Sequence, residues 1–179
     1  MMSLGWNGGL LVSYFSRAED ATCTTTVFDY FNPKTGQIET TGIPPLEGGF
    51  LSLINGAGND LWGILGGGDV YYYSSSLNQW ASVDFYPLTS YFVWAIDWNA
   101  QHNYLLVSVQ DTSTSPPTSL LLKIGASAFP PSNPEILVTG NLAFYGSVFS
   151  STAIKQQNST NYGLLLLLQF LLVNSVQFD

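Results

Sequence analysis

The side chains able to do chemistry are few: one histidine, one cysteine and twelve carboxylates in 179 residues. Carboxylates are the most numerous, and a facing pair of them can hydrolyse a glycosidic bond. Asp60, Asp69, Asp84, Asp97 and Asp111 all fall at the ends of apolar segments or in the turns between them. Turn and cap hydrogen bonding is the simpler use of that placement. Asp29 differs in lying inside an apolar segment, where it is expected on a sheet surface. His102 sits alone in the polar stretch WNAQHN, so an exposed turn residue is expected rather than a metal ligand. Cys23 can form neither an intrachain disulfide nor a thiolate cluster. No Gly-x-Ser-x-Gly elbow accompanies Ser13, Ser108 or the other hydroxyls. GILGGGDVY, Gly63 to Tyr71, lacks the Lys-Ser/Thr of a phosphate loop and reads as a hairpin turn. No catalytic residue is assigned, and neither a cofactor nor a metal is expected.

Aromatic rings are the other candidate chemistry. DVYYYSSSLNQW, Asp69 to Trp80, places three tyrosines before a serine turn and a tryptophan after it. Such rings can stack on sugar faces, or alternate between the two packed faces of a sheet. Of Tyr71, Tyr72, Tyr73, Trp80, Trp94 and Trp98, most are expected in the core. Trp98, flanked by Asp97 and Asn99 in the predicted turn DWNAQHN, is the candidate for an exposed ring. With Tyr72 and Trp80, these residues make the candidate ligand-binding set.

The elements holding these residues must be strands. Only 9% of residues are charged, against roughly 25% in ordinary soluble proteins. Helix-favouring Lys, Glu and Arg are scarce, while Tyr, Phe, Val and Thr abound. Net charge is -8, and Arg17, Lys34, Lys123 and Lys155 are too few and scattered to bind a phosphate backbone. Nucleic acid and anionic membranes are therefore poor partners. Gly163 to Val173, GLLLLLQFLLV, is shorter than the roughly 20 residues of a membrane-spanning helix and lacks a polar face. It reads as a strand buried on both faces. The opening MMSLGWNGGLLVSYF has no basic region or long apolar core, so no signal peptide is visible and the compartment stays open.

Laid end to end, the apolar segments repeat. Four strands, A to D, follow one another with turns between: Phe50–Ile54, Leu61–Leu65, Val70–Tyr73 and Gln79–Val83. The order recurs at Tyr91–Ile96, Tyr104–Val109, Leu120–Ile124 and Glu135–Val138. It also precedes them, at Ser3–Trp6, Leu10–Phe15, Thr25–Phe31 and Gln37–Thr41. A last unit offers Ser147–Ser150, Tyr162–Leu168 and Phe170–Phe178, without a fourth strand. The expected organisation is one all-β domain over 1–179, with units 1–49, 50–90, 91–146 and 147–179. B strands should be apolar throughout, as LLVSYF, LWGIL, YLLVSV and GLLLLL are.

VFDYFNPKTGQIE, Val27 to Glu39, resembles the C–D hairpin of kelch-like and quinoprotein-like β-propellers. Asn32 and Pro33 start its turn, Thr35 bonds locally, and Gly36 supplies the positive φ that closes it. DVYYYSSSLNQW fits the same hairpin with serines at the turn. The chain carries no Trp-Asp repeat and no regular Gly-Gly doublet, so no single propeller family is indicated. The resemblance implies about four four-stranded antiparallel blades; a β-sandwich or jelly roll is the alternative.

The function expected from these features is a non-catalytic interaction or self-assembly module. Its partner would be a second copy or another protein. A carbohydrate-binding lectin is the alternative, and a glycoside hydrolase-like enzyme the third.

Overall fold

The structure, a computed structural model, describes residues 2–16, 25–131 and 134–140. These residues form strands and no helix, so the all-β expectation holds. The first sheet orders β1 (Met2–Trp6), β2 (Gly9–Ser16), β3 (Thr25–Asn32) and β4 (Gln37–Thr40), with a short β5 (Leu46–Glu47) paired to β3. The second orders β6 (Phe50–Asn55), β7 (Leu61–Leu65), β8 (Val70–Ser74) and β9 (Gln79–Ser82). The third orders β10 (Tyr91–Asn99), β11 (Tyr104–Asp111), β12 (Thr118–Gly125) and β13 (Glu135–Gly140). Every neighbouring pair is antiparallel, and apart from β5, which returns to β3, each sheet is a meander in chain order. The predicted fourth unit, with its leucine run, lies outside the described residues.

Turn chemistry explains why the strands end where they do. At the β3–β4 turn, the Gly36 amide donates to the Asn32 carbonyl at 2.8 Å, and Gly36 takes φ 71°. The Asn32 side chain accepts from the Lys34 amide, and Thr35 Oγ1 accepts from the Gln37 amide. These are the roles that the sequence assigns to NPKTG.

The sheets pack in series, with the second between the other two. Along β7, Trp62 and Ile64 enter the core shared with the third sheet, while Leu61 and Leu65 enter the core shared with the first. Successive strand residues point to opposite faces, so a strand buried on both must be apolar throughout, and all five β7 residues are buried. The three tyrosines of β8 divide the same way. Tyr72 joins the core toward the third sheet, and Tyr71 and Tyr73 join the core toward the first. Two packed faces, rather than a ring-lined groove, account for that run.

Polar ties fix the first two sheets together. The Trp6 indole N–H donates to the Asn59 carbonyl at 3.0 Å, and Asn55 Nδ2 donates to the Gly5 carbonyl at 2.8 Å. The first strands of successive sheets are neighbours, β1 beside β6 and β6 beside β10.

Candidate functional site

The predicted turn at Asp97–Asn99 needs correction. β10 continues through all three residues, pairing Asp97 with Leu106, Trp98 with Leu105 and Asn99 with Tyr104. Trp98 is therefore only 8% exposed, in the core between the second and third sheets, with its ring stacked on Trp62 at 5.9 Å. Asn99 is buried as well; its side-chain oxygen accepts from the His102 amide and its Nδ2 contacts the Tyr104 hydroxyl. Tyr72 is buried and hydrogen-bonds Asp60. Trp80 lies half-buried across the first interface, stacked on Phe28 at 5.6 Å, and its indole donates to the Pro44 carbonyl. The five candidate binding residues thus divide between two separate sheet interfaces and the far face of the third sheet, where Asp97 lies beside Leu106.

The carboxylates mostly serve turns. Asp60 accepts from the Tyr72 hydroxyl at 2.6 Å and from the amide and hydroxyl of Ser75, tying the start of β7 to the β8–β9 turn. Burial and that bond to Asp60 hold the Tyr72 phenol well above its ordinary range. Asp84 accepts from the Tyr86 amide, and Asp111 from the amide and hydroxyl of Ser113. Asp97 differs: burial raises its pKa to about 6, opposed by a bond from the Trp98 amide. It binds a proton more tightly in the fold than in the unfolded chain. His102 is an exposed turn residue, its ring stacked on Tyr104 at 6.0 Å. Among the described residues, no group of three His, Cys, Asp or Glu could hold a metal ion.

What the sequence did not indicate is an open sheet face. β2 is as apolar as β7, yet only alternate residues are covered: Leu11 and Ser13 are buried, whereas Leu10 and Tyr14 are exposed. The uncovered side is the first sheet's outer face, turned away from the second sheet. Register pairing places Gly5, Leu10, Phe31 and Ile38 in one row across all four strands. The next row is Ser3, Val12, Asp29 and Thr40. Leu10 is 42% and Ile38 69% exposed, and Val12, Val27 and Phe31 are half-buried. Asp29 lies on this surface, as expected, and its carboxylate accepts from the Tyr14 hydroxyl at 2.8 Å. That bond holds the Tyr14 phenol above its usual pKa. The alternation of Leu10, Val12 and Tyr14 was the available signal, but periodicity does not say which face a neighbour covers.

A cleft of about 130 Å³ at the end of the first sheet, lined by Met2, Ser13, Tyr14, Phe15, Thr26 and Phe50, is smaller than the roughly 300 Å³ of small-molecule sites. No protein-family model, curated protein or solved structure matches the chain.

Proposed function

We propose that the chain is a non-catalytic interaction or self-assembly module, built on a propeller-like series of sheets. The observation that carries this reading is the apolar row Gly5–Leu10–Phe31–Ile38 on an uncovered sheet face. Contiguous apolar surface of this kind marks interaction sites on folded proteins. The propeller-like part rests on consecutive four-stranded meanders whose first strands neighbour one another. Commitment of Asp60, Asp84 and Asp111 to turns favours binding over carboxylate catalysis. The carbohydrate reading loses its principal anchor, because the Trp98 ring has no open face on which a sugar could stack.

A photo-crosslinking amino acid placed at Ile38 of the full chain tests this. Discrete protein adducts are expected from that position in the cells that make the protein. None is expected from Leu77, also outward-facing but in the β8–β9 turn. No adduct at Ile38, or the same adducts at both positions, would contradict the proposal.

A further inference from the structure

We infer that the chain covers the far face of its own third sheet: the leucine-rich stretch Gly163 to Val173 lies on Leu106 and Leu121, with Gln169 set against Ser108 and Ser119. That face is turned away from the second sheet, as the first sheet's outer face is at the other end of the series. The cover and the interaction reading therefore stand or fall separately.

Strand alternation defines the face. Leu105, Val107, Leu120 and Leu122 enter the core shared with the second sheet. Leu106 and Ser108 on β11, and Ser119 and Leu121 on β12, alternate with them and point the other way. All four are nevertheless no more than 5% exposed, and neither leucine belongs to the core on either side of the second sheet. The border of the face is more open, with Phe92 40% exposed on β10 and Glu135 exposed on β13. Phe92 and Trp94 precede the row in which Leu106 pairs with Asp97 and Lys123, so a cover is needed beyond those two rings.

Three observations select the occupant. The chain leaves the described structure at this face: Gly140 pairs with Ser119, and residues 141–179 continue from there. A tethered segment acts at an effective concentration on the order of millimolar, which a separate protein would have to match. GLLLLLQFLLV is also uncharged and apolar, and left in water it would form a patch of the kind folded proteins cover. Finally, the polar groups match. Among the described residues, the Ser108 and Ser119 hydroxyls are buried without a hydrogen-bond partner, and a cover of leucines alone would leave them so. They are diagonal neighbours across β11 and β12, roughly 7–8 Å apart, a span that one amide bridges. Gln169 is the one polar side chain inside the run, and its amide both donates and accepts.

Disulfide trapping in the full chain is the test, with Cys23 replaced by serine. Ser119→Cys, a change of one atom, is combined in turn with a cysteine at each position from Leu164 to Leu172. Two cysteines join only when their Cα atoms lie within about 7 Å, so an intramolecular disulfide is expected at position 169 or beside it. Ile38→Cys, on the first sheet, should give none with the same partners. No disulfide within the chain at any position, in variants whose circular dichroism matches the parent, would overturn the inference. So would bonds formed only between chains, or Ile38→Cys reacting as readily. Hydroxyl-radical footprinting of the unsubstituted chain gives a second reading. Peptides carrying Leu106 and Leu121 should oxidise at least tenfold more slowly than the one carrying Leu77, at every concentration. Oxidation as fast as Leu77 would mean an open face, and protection that appears only on concentrating would assign the cover to a second copy; either result overturns the inference.

Discussion

Replacing Trp98 with alanine is expected to destabilise the protein by about 3 kcal/mol, toward the lower end of the usual cost of truncating a buried tryptophan. The ring is lost from the core between the second and third sheets, along with its stacking on Trp62. One effect offsets the loss. Among the described residues the Trp98 indole N–H is buried without a hydrogen-bond partner, so removing it relieves a penalty of about 1 kcal/mol or more. Trp98→Phe keeps most of the ring, loses that donor, and should fall within about 1 kcal/mol of the parent protein. Denaturant unfolding measures both. An exposed turn tryptophan would instead lose no more than about 0.5 kcal/mol on truncation, and such a value for Trp98→Ala would contradict its placement.

The second large effect is expected at Gly63. This residue lies in β7 opposite Leu53, and a Cβ there would run into the Phe50 ring. Gly63→Val should therefore cost at least about 2 kcal/mol through overpacking. Phe50→Ala should cost about 3–5 kcal/mol by leaving a cavity in the core between the first and second sheets. In the double variant, valine enters the space that the ring vacates. The combined loss should be smaller than the sum of the two by about 1–2 kcal/mol, a coupling of the size found between side chains in contact. Strict additivity would mean that Phe50 does not cover Gly63.

Those two sites also mark how far the sequence is legible. Strand order and most strand limits follow from local chemistry: NPKTG, NGAGND and SSSLN each break an apolar run with residues suited to turns. The end of β10 is harder to read, because Asp97 and Asn99 are turn-favouring types. Trp98 nevertheless continues the alternation begun at Ile96, and pairing with Leu105 holds it in the strand. The irregular register between Val93 and Ala95 obscures that alternation, since it shifts which residues face the core. β5 is only two residues long and leaves no periodic signal. The candidate site was less legible than the fold. Apolar β2 and apolar β7 look alike in sequence, and only the arrangement of sheets shows that β7 is covered twice and β2 once.

Hydroxyl-radical footprinting of the dilute full chain tests most directly the claim that the Trp62, Trp98 and Tyr72 rings are internal and the recognition surface is the first sheet's outer face. Peptides carrying Trp62, Trp98 and Tyr72 should oxidise slowly, and those carrying Leu10, Tyr14 and Ile38 quickly, with Tyr86 (77% exposed) as the internal standard. Once a partner or a second copy is bound, protection should appear at Leu10, Tyr14 and Ile38 and leave Tyr86 unchanged. Trp98 oxidising as fast as Tyr86, with Leu10 and Ile38 already protected in dilute solution, would contradict the account.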